Sequence, residues 1–77
     1  MEQKIYINTP FIKLGSLLKL ANMGGSGGLA KMIIQDGQVR LNGKVCTMRG
    51  KKILAHDVIE IDMRPTTYTI EVLQKEN

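Results

Sequence analysis

The sequence predicts an α+β domain: two short N-terminal helices packed on a small, antiparallel-rich sheet. Three observations lead there. Apolar residues recur at helical spacing in the first half of the chain, they alternate with period two in the second half, and an Asn-Gly pair sits inside the first alternating run. At 77 residues the chain makes one domain, 1–77. A domain of this size buries only about 60% of its unfolded surface, so a full core and a deep substrate cleft are hard to combine.

"KIYINTP" opens with a short strand, Ile5 and Ile7 on one side and Lys4 and Tyr6 on the other, stopped by Pro10. In "FIKLGSLLKLANM", Leu14, Leu17, Leu18 and Ala21 follow the i, i+3, i+4, i+7 spacing that gives a helix one apolar stripe. Lys19 falls opposite that stripe and Lys13 near its edge. Thr9 is a candidate cap, and Gly15 weakens the first turn. In "GLAKMIIQDG", Ala30, Ile33 and Ile34 share a helical face, Lys31 and Gln35 take the other, and Gly37 supplies a left-handed stop. "QVRLNGKV" then alternates around Asn42-Gly43, the dipeptide preferred by a two-residue type I′ turn. Val39, Leu41 and Val45 are expected to face inward, with Arg40 and Lys44 outward. "DVIEID" sets Val58 and Glu60 against Ile59 and Ile61 as a strand, Arg64-Pro65 breaks the chain, and "TYTIEVLQ" alternates Tyr68, Ile70 and Val72 as the last strand.

Between the helices lies "NMGGSGGLAK". Gly25 to Ala30 satisfies the letters of G-x-G-x-x-[GA], but that dinucleotide fingerprint needs a strand before it, and here a helix precedes. A phosphate-binding P-loop fails as well, because Ala30-Lys31-Met32 stands where Gly-Lys-Ser/Thr is required. The glycines read as a joint that lets two amphipathic helices turn onto one core. Gly28 to Ala30, at the positive end of the second helix, offer free N–H groups to a phosphate.

The chain carries a net charge of +4, and its distribution says more than its size. From Gln38 to Lys52 there are five basic residues, Arg40, Lys44, Arg49, Lys51 and Lys52, and no acidic one. With Cys46 as the only cysteine, an internal disulfide is impossible, and a reducing, cytoplasmic setting is expected. "MEQKIYINTP" has no apolar signal region, and no run approaches the roughly 18 apolar residues of a membrane span.

The order of helix, glycine turn, helix, "GQVRLNG" hairpin, basic loop and "DVIEID" strand resembles the S-four RNA-binding domain, the αL-type motif. The resemblance covers Phe11 to Asp62. It is carried most specifically by Ala30, Ile34, Gly37, Val39, Asn42 and Gly43, followed by Asp57-Val58-Ile59, while "FIKLGSLLKLA", "SGGLAK" and "RGKKIL" are similar to the family's small bacterial stand-alone branch. The resemblance implies that the two helices and the hairpin present one surface to the phosphates of structured RNA. It puts Lys13 at the basic position of the first helix, Lys31 in the basic stretch of the second, and Asp57 in a turn. Many members have Ser-Arg at the start of the second helix, and here Ser26 is followed by Gly27. That departure implies either weaker binding or a contact shifted toward the Arg49 to Lys52 loop.

Phe11, Tyr6 and Tyr68 form no closely spaced stacking platform, so duplex shape and phosphates are the expected targets. Gln38 is assigned to sugar hydroxyls, whereas Asn42 is already explained by its turn. His56 has no nucleophile nearby in sequence, Cys46 reads as a small apolar filler, and Asp57, Glu60 and Asp62 are spread along a strand, so no catalytic group and no metal or cofactor is assigned. The expected function is non-catalytic binding of structured RNA, ribosomal RNA or a ribosomal particle by resemblance, through Lys13, Lys31, Gln38, Arg40, Lys44, Arg49, Lys51 and Lys52. The rival class is a small β-grasp-like protein adaptor without carrier activity, since the chain ends in Gln74-Lys75-Glu76-Asn77 rather than Gly-Gly.

Overall fold

The computed structural model describes residues 2–21 and 27–76. The glycine turn, with Ser26 and its expected role as a joint, lies largely outside them. The elements run β1 (Glu2–Ile7), β2 (Ile12–Lys13), α1 (Leu14–Leu20), α2 (Gly27–Gln35), β3 (Val39–Leu41), β4 (Lys44–Val45), β5 (Lys52–Ile53), β6 (Val58–Met63) and β7 (Thr66–Gln74). The α+β class holds, with one change of order: two strands precede the helices. The main sheet has five strands in the order β1-β7-β6-β3-β4 and is mixed, because β1 lies parallel to β7 while the remaining pairs are antiparallel. A second, two-stranded sheet pairs β2 with β5.

The helical stripe is buried as its spacing requires. Leu14, Leu17, Leu18 and Ala21 from α1 and Ala30, Ile33 and Ile34 from α2 pack in one cluster with Val39, Ile59, Ile61, Ile70 and Val72 from one face of the main sheet, together with Ile7 and Ile53. Each large side chain enclosed in this way is worth about 1.5–3 kcal/mol relative to exposure. Gly37 closes α2 at φ 75°, and Asn42 and Gly43 occupy the β3-β4 turn at φ 51° and 88°, the left-handed values that such a turn demands.

Start and face differ from expectation at two places. Ile12 and Lys13 form a short strand rather than a helical turn, and Thr9 does not cap α1: its hydroxyl donates to the Phe11 carbonyl at 2.8 Å. Helix α1 begins after Lys13, which makes no side-chain cap. The hairpin faces are also exchanged at β4. A two-residue turn pairs the residues that flank it, so Leu41 stands opposite Lys44 and Arg40 opposite Val45. Lys44 therefore shares the row of Leu41, Ile59 and Ile70, whereas Val45 shares the outer row of Arg40, Glu60 and Thr69 and is exposed. Simple alternation through the turn predicts Val45 inward and Lys44 outward beside Arg40, and the pairing across the turn reverses both.

Candidate nucleic-acid interface

The site is built on the start of α1. A helix leaves its first N–H groups without intrahelical partners. Here the chain itself supplies them: Leu14 N–H donates to the Lys51 carbonyl at 2.9 Å and Gly15 N–H to the Arg49 carbonyl at 3.0 Å. Beside these bonds, β2 and β5 pair with Ile12 opposite Ile53 and Lys13 opposite Lys52. The basic loop is thus fastened to the helix at Arg49, Lys51, Lys52 and Ile53. Gly15 is the residue that admits it, since a Cβ there would stand 3.1 Å from Arg49 Cγ.

This attachment gathers charge that sequence distance keeps apart. An open cavity of about 290 Å³ is lined by Lys13, Gly15, Ser16, Lys19, Arg49 and Gly50, with Ala30 of α2 on its border. Lys52 Nζ lies 4.8 Å from the centroid of the Phe11 ring, a cation-π contact that holds its head near the β2-β5 pair. Lys13 and Lys52 are direct cross-strand partners, an arrangement that costs stability because like charges repel. Among the described residues the ion pairs are Arg40–Glu60 and Arg64–Asp62, so the cations of this cluster have no carboxylate partner there. The result is a concentrated positive potential with donors free to receive an anion.

Lys51 carries the cluster toward the hairpin. With Lys44 it borders a second hollow of about 320 Å³, whose other walls include Leu41, Val45, Cys46 and Met48. Lys31 is exposed on α2, next in sequence to Ala30. Arg40 stands apart on the outer face, 3.8 Å from Glu60 Oε1. Gln38 is also elsewhere: its side-chain amide donates to the Asp62 carbonyl at 2.8 Å and approaches Met63 Sδ at 3.8 Å. The structure thus brings together Lys13, Arg49, Lys51 and Lys52, with Lys44 adjoining, and separates Arg40 and Gln38 from them.

Lys19 and Ser16 were missed from sequence as site residues. Their signal was the i, i+3 spacing of Ser16 and Lys19, which makes them neighbours on α1, close after Lys13 at the end of β2.

The hairpin is positioned by a polar lock. Asn42 Nδ2 donates to Asp57 Oδ1 at 3.0 Å, Asn42 Oδ1 accepts from Val58 N–H at 2.9 Å, and Asp57 Oδ2 accepts from Leu54 N–H at 2.8 Å. Asn42 is therefore more than a turn former. It ties the hairpin to the 54–57 turn that ends β5, and Asp57 is the turn residue the resemblance implied.

The model of the S4 domain matches residues 5–71. The chain belongs to the S4 domain family. The resemblance read over 11–62 holds, and the match extends it into β1 and β7. The probable ribosome maturation protein RlbA of Bacillus subtilis (strain 168) is 40% identical to this S4 chain over 62 residues, 80% of this chain and 87% of that protein. The putative RNA-binding protein YbcJ of Escherichia coli (strain K12) is 40% identical over 50 residues, 65% of this chain and 71% of that protein. Among the described residues of this S4 domain, no helix is long and apolar enough to cross a membrane.

Proposed function

We propose that this S4 domain is a non-catalytic, cytoplasmic RNA-binding module that docks on structured ribosomal RNA, within an assembling or mature ribosomal particle, by gripping phosphates. The observation that carries this reading is the fastening of the Arg49 to Lys52 loop onto the start of α1, which concentrates unpaired cations around one open cavity. Lys13, Lys19, Arg49, Lys51 and Lys52 are the principal contacts, Lys44 and Lys31 extend them, and Ser16 offers a hydroxyl to the same phosphate or sugar. Arg40, partly neutralised by Glu60, contributes least, and Gln38 acts mainly in the fold. The kinship with proteins named for RNA binding and ribosome maturation agrees with this assignment. Binding, not bond making, is what cations around an open hollow accomplish, and phosphate contacts dominate such affinities.

The test is in-cell crosslinking with RNA sequencing, comparing the wild-type chain with a folded variant in which Lys13, Lys19, Arg49, Lys51 and Lys52 become Gln. Reads concentrated on one ribosomal RNA element, and lost in the variant, are the expected result. Diffuse reads that the substitutions leave unchanged, with protein partners retained after RNase treatment, would replace this reading with that of a protein adaptor.

A further inference from the structure

The cavity around α1 explains where phosphates go, but it leaves the second hollow unassigned. Its apolar floor is unusual for a cationic surface: Val45 is 61% and Met48 64% exposed, beside the half-buried Leu41 and Cys46. Single exposed apolar side chains are ordinary, but Val45 and Met48 line one hollow together with Leu41 and Cys46, which makes them a candidate contact surface. The rim narrows the choice of occupant. Lys44 and Lys51 border the hollow, no acidic side chain lines it, and Lys51 belongs to the loop fastened to α1. The hollow lies at the open edge of β4, where Lys44 from the inner row and Val45 from the outer row both reach it, and Lys51 of the fastened loop links it to the proposed phosphate surface.

Resting on that reading of the surface, we propose that the Val45–Met48 shelf seats one unpaired nucleobase extruded from the bound RNA, while Lys44 and Lys51 hold the phosphates on either side of it. A base presents two apolar faces between charged phosphates, which is the complement of an apolar floor between two lysines. A methionine thioether makes favourable contact with an aromatic ring, and apolar side chains serve as supports for displaced bases. The volume of about 320 Å³ is at the lower end of small-molecule pockets, suited to one heterocycle. The lining offers an apolar contact and, apart from the Thr47 hydroxyl and the Cys46 thiol, no uncharged side-chain group to read base edges, so the site recognises a bulge more than a sequence. Phe11, Tyr6 and Tyr68 lie elsewhere, which is why a search for aromatic stacking alone passes over it.

The experiment measures affinity at one salt concentration for two RNA hairpins, one with a fully paired stem and one with a single unpaired adenine inserted in that stem. The intact chain is expected to prefer the bulged hairpin about fivefold or more, the lower end of what one base stack contributes. Val45→Ser with Met48→Ser should abolish that preference and leave the affinity for the paired hairpin unchanged. Both side chains are exposed, so the double variant should fold normally, as circular dichroism would verify. Lys51→Gln should weaken both hairpins. Equal, salt-sensitive binding of the two hairpins by the intact chain would overturn the base site while leaving the phosphate surface standing, and the shelf would then be sought as a protein contact. Failure to bind either hairpin at low salt would overturn both.

Discussion

Gly15 shows how one missing side chain links the core to the surface. As a helical residue glycine costs about 0.5–1 kcal/mol relative to alanine. The gain is the close passage of Arg49 over the helix start. Gly15→Ala asks only the flexible Arg49 Cγ to give way by a few tenths of an ångström, and its stability should stay within about 1 kcal/mol of wild type. Gly15→Val adds branches beside the Arg49 carbonyl, and overpacking of this kind costs about 1–3 kcal/mol. A urea melt of the two variants checks the contrast, and RNA affinity should fall in the valine variant. Asn42 gives a second test at this scale. Asn42→Ala loses two hydrogen bonds and places a Cβ without local support at φ 51°, for a combined cost of about 2–4 kcal/mol. Asn42→Gly keeps the backbone at ease and should cost about half as much. Equal melting midpoints for the two variants would contradict the separation of backbone from side-chain effects.

At the level of elements, the two-residue strands have an influence beyond their length. Ile53 is fully buried on β5, directly opposite Ile12 on β2, and it anchors the loop that bears Arg49, Lys51 and Lys52. Ile53→Ala should destabilise the domain by about 2–4 kcal/mol, measured by denaturant unfolding. It should also weaken RNA binding under conditions where the chain remains folded. Elements with strong local signals were legible in the sequence: the Leu14, Leu17, Leu18, Ala21 stripe, the Asn42-Gly43 turn, and the alternation of β6 and β7. The β2-β5 pair was not, because two residues carry no periodicity and their partnership is set by distant chain. The same is true of the parallel seat of β1 beside β7. Lys13 and the Arg49 to Lys52 loop were legible as basic residues, but their meeting depends on that unseen pair. The face of Lys44 was not legible, because alternation along a strand does not continue through a two-residue turn and its side is set by the pairing with Leu41.

Across the whole molecule, charge is sorted by side. The outer rows of the main sheet hold Glu2, Glu60, Asp62 and Glu71 against Arg40 and Lys4, while the α1 start and its loop hold cations without carboxylate partners among the described residues. An RNA approaching the sheet meets a mixed, partly acidic surface, and one approaching the loop meets a positive one. If about five phosphates are neutralised, affinity should drop roughly 10²- to 10³-fold between 50 and 200 mM salt, taking the duplex-DNA slope as a guide. Lys19→Gln should reduce the slope of log affinity against log salt by about 1 and weaken binding to all sequences alike. Arg40→Gln should leave that slope nearly unchanged. Filter binding across a salt series distinguishes the two, and an equal loss of slope in both would show that the outer face also touches RNA.

The carbonyls of Arg49 and Lys51 do for α1 what a capping side chain does elsewhere, and they belong to the segment that meets the ligand. The amides of Leu14 and Gly15 are therefore sentinels. When the loop lifts, these two hydrogens lose their acceptors while the ladder between β6 and β7 stays closed, so they should exchange with deuterium faster than the sheet amides. A bound RNA that holds the loop down should slow them selectively. Occupancy of the surface would then be written at the edge of the core, where a spectrometer can follow it residue by residue without any label on the nucleic acid.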